Sequence, residues 1–151
     1  MSVDWTIDTF VLYKAADGDI DPCYFLLRVI KERHTVNFDS EKQIEREYSK
    51  CFKKVQRERR VGSELLKKWF KEVVAKCYQC YSGKLQEKHK KGLEKLSFDR
   101  SDWPFVAVCK KTASKNLVSE ESDYKIEVKE YLKKEMDINV LSIHDSLQYS
   151  Q

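Results

Sequence analysis

Acidic residues that follow predicted strands, or lie on predicted helices beside them, are the side chains of this chain best suited to chemistry. Asp8 comes directly after a predicted strand over residues 3–7, and three acids follow or lie just beyond a second one over residues 116–119. The carboxyl ends of parallel strands meet at one edge of a sheet, where α/β proteins bind ligands. We therefore expect a cluster of carboxylates at this edge, formed by Asp8, Glu47, Asp102, Glu120, Glu121 and Asp123.

Converging carboxylates can hold a hard divalent cation. Like charges a few ångströms apart raise each other's pKa, so such a cluster is stable only with a counter-charge. Oxygen ligands select Mg²⁺ or Mn²⁺, and such an ion activates water and neutralises charge that builds on a phosphodiester. The alternative is that each acid acts alone, with Asp8 and Asp102 as helix N-caps and the others in solvent. Two separate acidic groups at strand ends favour the cluster.

The cysteines predict no second reactive centre. Cys77 and Cys80 form one Cys-x-x-Cys pair, but no second pair follows at the spacing of a zinc site. The helical pattern around them predicts that the two thiols share a helix face. An odd number of cysteines, in a chain whose N-terminus lacks the features of a signal peptide, favours free thiols in a reducing compartment.

Periodicity and turn residues predict the elements that position these acids. Strands are predicted at residues 3–7, 34–38, 116–119 and 138–143. Helices are predicted over residues 23–30, from Ser40, from Ser63, over 85–96, from Asp102 and over 124–136. Ser40, at capping-box spacing from Gln43, and Asp102, which precedes Pro104, are the predicted N-caps of their helices. This order predicts an α/β fold, a three-layer α/β/α sandwich with a mostly parallel central sheet.

The composition indicates a single domain over residues 1–151. This length is usual for one domain, and 41% of the residues are hydrophobic, which is enough for a core. No apolar run approaches the roughly 20 residues of a membrane-spanning helix. Together with the N-terminal sequence, this favours a cytoplasmic protein without membrane contact. The net charge of +4 names no partner by itself.

Positive charge is concentrated in the middle of the chain. Residues 50–95 contain 15 basic and five acidic residues, a net charge of +10, which leaves −6 for the rest. This asymmetry predicts that the segment holds a polyanion. The predicted substrate contacts are Lys53, Lys54, Arg57 and Arg60, and the rings placed to stack bases are Tyr78, Tyr81 and His89. The alternative, that the lysines only line solvated helix faces, carries equal weight.

Several segments resemble motifs of PIN-domain nucleases and occur in that family's order along nearly the whole chain. Ile7-Asp8-Thr9-Phe10-Val11-Leu12 is similar to the family's strand followed by Asp-Thr-x-Val-Leu. Ile44-Glu45-Arg46-Glu47-Tyr48 resembles its Ile-x-x-Glu-Tyr helix. Asp102-Trp103-Pro104-Phe105-Val106-Ala107-Val108 resembles its Asp-x-Pro-Phe-Val-Ala-x-Ala helix. Residues 117–124 resemble its Leu-Val-Thr-x-Asp-x-Asp-Phe segment, and residues 138–143 fit its closing strand.

The resemblance implies an α/β/α nuclease that depends on Mg²⁺ or Mn²⁺ and is usually a ribonuclease. It implies the catalytic acids Asp8, Glu47, Asp102 and Asp123. The implied metal ligands are Asp8, Asp102, Asp123 and Glu121. Thr9 and Ser119, which stand beside these acids, are expected to contact the substrate.

Two acids compete with members of this set. Glu45 is an alternative to Glu47, although two residues along a helix point about 200° apart, so both cannot serve one site. Asp99 is a similar competitor of Asp102. Ser119 and Glu121 also depart from the family, which has Thr and Asp there. The longer glutamate is expected to reach a metal through water or not at all.

The expected function is therefore cleavage of single-stranded or structured RNA by an endoribonuclease. Small members of the family are often toxins that an antitoxin protein blocks, and PIN domains often form homodimers. The helix that carries Trp69 and Phe70 is either an interface or part of the core. Two alternatives remain open: a catalytically degraded module that binds RNA or acts as a scaffold, and a nuclease directed at DNA.

Overall fold

A central sheet organises the protein, and helices cover both of its faces. The computed structural model describes residues 3–149. Within that range the five strands are β1 (Asp4–Ile7), β2 (Thr35–Asp39), β3 (Tyr78–Tyr81), β4 (Asn116–Val118) and β5 (Asn139–Leu141). The eight α-helices of the same range are α1 (Thr9–Ala16), α2 (Ile20–Lys31), α3 (Gln43–Arg57), α4 (Ser63–Lys76), α5 (Glu87–Lys95), α6 (Trp103–Lys111), α7 (Ile126–Met136) and α8 (Ile143–Tyr149).

The strands lie in the order β3-β2-β1-β4-β5, and all four pairings between neighbours are parallel. The chain winds outward from β1 through β2 to β3 and then places β4 on the other side of β1. Open α/β sheets form their ligand crevices where the winding reverses in this way, beyond the carboxyl ends of the strands. The predicted α/β class with a parallel central sheet is thus confirmed, and the crevice is expected between β1 and β4.

The residues of β1 divide between the two faces of the sheet, because successive strand residues point in opposite directions. The ring of Trp5 packs edge-on against Phe25 of α2 and Tyr149 of α8, with ring centroids 5.2 and 5.5 Å apart. Thr6 points to the opposite face, where it lies beside the thiol of Cys109 on α6. α2 and α8 therefore belong to one outer layer of the sandwich, and α6 belongs to the other.

The sequence patterns do not predict three short elements: α1, β3 and α8. α1 has eight residues, mostly apolar, and half of them are buried, so it lacks the polar face that marks a helix. β3 has four residues at the edge of the sheet and leaves three of them exposed, so it shows no apolar alternation. α8 begins at Ile143, where the predicted strand over residues 138–143 was expected to end.

The unpredicted strand corrects the interpretation of the cysteine pair. α4 ends at Lys76, Cys77 is buried just beyond it, and Cys80 is exposed on β3. The two residues therefore do not share a helix face, because the chain changes from helix to strand between them. All five cysteines are free thiols.

Two aspartates, rather than the predicted residues, cap helical segments. Asp39 at the end of β2 accepts hydrogen bonds from the N–H groups of Gln43 and Ile44, at 2.9 and 2.7 Å, so Ser40 is not the N-cap of α3. Asp99 accepts the N–H of Ser101 at 2.8 Å and caps the short 3-10 turn Arg100–Asp102 that leads into α6. Asp102 precedes α6 as expected but makes no capping hydrogen bond, which leaves its carboxylate available for another role.

Helix length and packing test two expectations from the sequence, the lack of a membrane-spanning helix and the location of the rings of Trp69 and Phe70. Among residues 3–149, no helix is at once long and apolar enough to cross a bilayer. Trp69 on α4 is buried, and Phe70 is partly buried against the same hydrophobic cluster. These two rings therefore belong to the core.

Tyr48 connects α3 to the sheet directly below the predicted site. Its ring is fully buried against Phe38, and its hydroxyl donates a hydrogen bond to the carbonyl of Ile7, the last residue of β1. A buried carbonyl that loses its donor costs about 1–3 kcal/mol. This bond fixes the end of β1, and with it the starting position of Asp8.

We expect Tyr48→Phe to lower the free energy of unfolding by about 1–3 kcal/mol, because it removes this donor and little apolar area. Denaturant titration followed by fluorescence measures the change. Tyr24→Phe is the matched control, since Tyr24 is 61% exposed and a surface change of this kind shifts stability by less than about 0.5 kcal/mol. Equal effects of the two substitutions would contradict the buried hydrogen bond.

Candidate functional site

A cavity of about 250 Å³ lies beyond the carboxyl ends of β1 and β4. Acids from four separate parts of the chain line it: Asp8, Glu47, Asp102, Glu121 and Asp123. Its position is the one at which the strand order reverses. The structure thus brings five of the six predicted acids to one place, which we call the acidic cavity, whereas Glu120, the sixth, lines a separate cavity beside it.

Asp8 is positioned by the two central strands. It follows β1 directly, and its N–H donates to the carbonyl of Val118 on β4 at 3.0 Å. The hydroxyl of Ser119 donates to Oδ2 of Asp8 at 2.8 Å, and the N–H of Ser119 donates to Leu141 of β5 at 3.0 Å. Asp8 is therefore connected by hydrogen bonds to β4 directly and to β5 through Ser119.

Ser119 does not occupy the role expected from the sequence. It is 2% exposed, and its hydroxyl also accepts the N–H of Glu121 at 3.1 Å. A side chain enclosed in this way orients Asp8 and cannot contact a substrate, which corrects the substrate-binding prediction. The hydroxyl that a threonine would supply is present in serine, so this departure from the motif leaves the arrangement intact.

Asp102, Glu121 and Asp123 form the tightest group. One carboxylate oxygen from each of them lies within 4.8 Å of the other two. The Oδ2 atom of Asp102 is buried and has no hydrogen-bond partner. A buried carboxylate oxygen without a partner is costly, and it is the kind of group that a cation satisfies.

Glu47, not Glu45, faces the acidic cavity. Glu47 lies on α3 beside the buried Tyr48, and its Oε1 atom is 3.4 Å from Nζ of Lys50. Glu45 points away and lies close enough to Tyr78 to contribute to raising that phenol's pKa. The likewise competing Asp99 is engaged in its cap. The geometry therefore separates both pairs of competitors.

Burial and mutual repulsion raise the pKa values of the clustered acids. Burial raises the pKa of Asp8 to about 6, against the hydrogen bond from Ser119, which lowers it. Burial and then the charge of Asp8 raise the pKa of Asp102 to about 9. Burial and the charge of Asp123 raise the pKa of Glu121. Without a counter-charge, the cluster therefore retains protons at neutral pH.

The donor set fits a small hard cation. Mg²⁺ binds oxygens at about 2.1 Å, so opposite ligands of one ion stand about 4.2 Å apart. The oxygens of Asp102, Glu121 and Asp123 lie within 4.8 Å of one another, which is close to that separation. The bare Oδ2 of Asp102 supports the same fit. Glu121, which was expected to reach a metal through water or not at all, places an oxygen within 4.8 Å of oxygens of Asp102 and Asp123.

The four cations that were predicted to contact the substrate differ in their position relative to the acidic cavity. Nζ of Lys54 lies 5.7 Å from the ring centroid of Tyr13, and the guanidinium of Arg60 lies 5.5 Å from the same centroid. Tyr13 lines the acidic cavity, so these two cations are close to its rim. Lys53 and Arg57 are exposed on α3, about 120° and 80° around the helix from Glu47, and neither lines the cavity.

The three rings predicted to stack bases also differ from one another. His89 is 2% exposed and is held between the hydroxyl of Tyr131 at 3.1 Å and Nζ of Lys110 at 3.0 Å, so it cannot stack on a base. One face of Tyr78 stacks on Phe38 with centroids 4.7 Å apart, and the residue remains 39% exposed. Tyr81 is partly buried against the core.

Several residues that line the acidic cavity were not predicted as site residues from the sequence. Thr9 lines it as expected, and so do Phe10 and Tyr13 from the same helix. Thr9 and Tyr13 are four residues apart and share a helix face, a signal that becomes visible only once α1 is recognised. The remaining walls are Ser101 and Phe105, on either side of Asp102.

No match to this chain was found among protein-family models, curated proteins or solved structures. Fold, cavity geometry and sequence motifs are therefore the grounds for a functional proposal. The cavity is evidence that does not depend on the motifs, because its lining residues follow from the folded structure alone.

Removal of one buried charge is expected to stabilise the protein when no divalent cation is present. The folded-state pKa values of Asp8 and Asp102 lie above the value of about 3.9 for an unfolded aspartate. The stability that these protons contribute is complete below pH ~4 and is lost as the pH rises through about 6 and about 9. Asp102→Asn removes the loss of stability that comes from deprotonation of Asp102. We expect the variant to melt above the wild type at pH 8, with a smaller difference at pH 5.

Asp99→Asn is the control, because Asp99 accepts a hydrogen bond and its pKa is lowered by it. This substitution should give no gain in stability at pH 8. Differential scanning calorimetry in EDTA measures both variants, and the difference from wild type cancels the titration of other groups. Equal shifts of the melting temperature by both substitutions across this pH range would contradict the destabilising burial of Asp102.

Proposed function

We propose that the protein is a PIN-like, metal-dependent nuclease that hydrolyses phosphodiester bonds, in the first place as an endoribonuclease. The observation that carries the proposal is the convergence of five acids on one cavity at the switch point of a parallel sheet, with a bare buried oxygen on Asp102. The motif resemblance supports the same assignment. The free cysteines are consistent with the cytoplasmic location that belongs to it.

Under this proposal the acids of the cavity divide the work between them. Asp8, Asp102, Asp123 and Glu121 would hold Mg²⁺ or Mn²⁺. When bound, such an ion lowers the pKa of water and neutralises charge on the phosphate. Glu47, the acid on the α3 side of the cavity, would accept a hydrogen bond from the attacking water and orient it. Ser119 would keep Asp8 in position through its hydroxyl hydrogen bond.

Cations held against aromatic rings supply the substrate side. Lys54 lies over Tyr13, and the guanidinium of Arg60, over the same ring, is also paired with Asp17 and Glu58. Phosphates of a nucleic acid are attracted by such cations. Because backbone contacts do not distinguish RNA from DNA, the preference for RNA is based on the resemblance and must be tested directly.

The alternative of a degraded module has less support from the geometry. It was based on Ser119 and Glu121 as departures from the motif. The hydroxyl of Ser119 holds Asp8, and Glu121 lies with Asp102 and Asp123. An antitoxin partner and a homodimer are further parts of the proposal that come from the resemblance alone.

Cleavage should depend on the acids of the cavity. We expect Asp8→Asn and Asp102→Asn to reduce Mn²⁺-dependent cleavage of a labelled single-stranded RNA at least about 100-fold, because metal catalysis contributes several kcal/mol. Glu47→Gln should also reduce the rate. Asp99→Asn and Glu45→Gln are the matched controls, which should stay within about threefold of wild type. A parallel assay on DNA of the same sequence tests the alternative substrate.

The proposal fails if Asp8→Asn and Asp102→Asn cleave at the wild-type rate. It also fails if Glu45→Gln is impaired as strongly as Glu47→Gln, because only one of these side chains faces the cavity. Cleavage of DNA in preference to RNA would transfer the assignment to a DNA-directed nuclease.

Metal binding should be measurable without catalysis. We expect Mn²⁺ to raise the melting temperature of the wild type with concentration, and to leave Asp102→Asn nearly unchanged. Because acids with raised pKa values must lose protons to bind the ion, binding should release protons near pH 7. Calorimetric titration in two buffers of different ionisation enthalpy counts them. A wild-type protein with no divalent binding would instead be the degraded module.

A further inference from the structure

A second and larger cavity adjoins the acidic cavity at the same edge of the sheet. Its volume is about 750 Å³, within the usual range for small-molecule sites. Phe10 lines both cavities. The chain after β4 also serves both, because Glu120 lines the larger cavity and Glu121 the acidic one. A polymer that passes from one cavity into the other would therefore cross this shared wall.

We propose that this adjoining cavity binds the guanine base of the nucleotide next to the bond that is cleaved. The inference rests on the proposed nuclease function, because that function supplies the neighbouring phosphodiester. It goes beyond that function in naming a base, a binding site for it and the residue that selects it. The charge of the cavity, its hydrogen-bonding groups and its apolar walls all favour guanine.

The charge of the adjoining cavity favours a base over a phosphate. Three acids line it, namely Asp19, Asp21 and Glu120, against the single fixed positive charge of Lys14. Their excess of negative charge repels a phosphate, so the phosphates of a bound nucleic acid have to lie outside this cavity. The same acids accept hydrogen bonds, so they attract a group that is rich in N–H donors.

Glu120, an exposed residue, can select the base. Its Oε2 atom accepts the N–H of Ile143 at 2.7 Å, which places the carboxylate at the cavity wall. A carboxylate has about four acceptor sites, so both oxygens can still accept from a ligand. Guanine presents two adjacent donors, N1–H and N2–H₂, that match such a pair of oxygens. Adenine, cytosine and uracil do not present two adjacent donors on one edge.

The remaining walls suit the rest of the guanine ring. Lys14 and His144 line the cavity and can donate to the O6 and N7 acceptors, the atoms that lysine contacts in guanine recognition elsewhere. Phe10, Ile20 and Ile143 supply apolar surface against which a flat base can pack. Phe10 would thus lie beside the base in one cavity and the phosphodiester in the other.

Nucleoside binding without metal tests the inference separately from cleavage. Calorimetry or NMR titration of the wild-type chain in EDTA uses guanosine, adenosine, cytidine and uridine as probes, because they carry no phosphate for the acids to repel. We expect guanosine to bind about tenfold more tightly than the others, and Glu120→Gln to abolish most of this preference. Glu130→Gln removes an exposed acid on α7 and should keep the preference, which controls for net charge. Equal binding of the four nucleosides, or no binding at millimolar concentration, overturns the inference.

A cleavage assay then separates a base within RNA from a free nucleotide. Single-stranded RNA oligonucleotides that contain one guanosine in a row of adenosines should be cut beside the guanosine by the wild type and without that preference by Glu120→Gln. RNA cleavage that ignores guanosine overturns the subsite and leaves the nuclease proposal intact. A protein that cleaves no RNA but binds guanosine through Glu120 has the base site for a free ligand, and the nuclease proposal fails.

Discussion

Electrostatic repulsion among carboxylates in a partly buried cavity is the constraint on which this structure depends. Burial raises the pKa values of Asp8 and Asp102, and the charges of Asp123 on the first and of Asp8 on the second raise them further. Such an arrangement lowers the stability of the folded chain at neutral pH, so the surrounding fold must hold these residues in place. Functional sites commonly combine local destabilisation of this kind with rigid support.

The support comes from elements that carry no charge into the cavity. The buried hydroxyl of Tyr48 holds the end of β1, and the hydroxyl of Ser119 holds the carboxylate of Asp8 itself. Asp39 and Asp99 show the contrasting use of the same residue type, since each accepts backbone N–H groups and closes a helical turn. In the acidic cavity, by contrast, the buried Oδ2 atom of Asp102 has no hydrogen-bond partner.

Much of the fold could be predicted from the sequence, because long amphipathic segments and apolar strands fix the order of elements. The parts that could not be predicted are short or lack a pattern. α1 is too apolar to show a helical face, and its absence from the prediction hid Phe10 and Tyr13 as cavity walls. β3 is a polar edge strand, which explains the wrong placement of Cys77 and Cys80. The caps at Asp39 and Asp99 depend on loop geometry that residue type alone does not determine.

The acids of the site were predictable for a different reason. Strand ends converge in any parallel sheet, so Asp8 and residues 119–123 had to lie near one another once β1 and β4 were neighbours. The position of Glu47 required more, because a helix offers several faces and only the packing of Tyr48 selects one. Burial of His89 and Ser119 could not be foreseen, since polar residues become enclosed only when a specific hydrogen-bond partner is available.

The distribution of charge also implies an order of events for the proposed nuclease. Before a cation binds, the acidic cavity repels a phosphate, while Lys54 attracts one at the rim beside Tyr13. A nucleic acid can then be held at the rim but cannot enter the cavity. Neutralisation of the carboxylates removes that barrier, so the site as built favours binding of the cation before entry of the phosphodiester. The acids thereby exclude the substrate until the catalytic charge is in place, which makes their repulsion part of the proposed mechanism as well as a cost to folding.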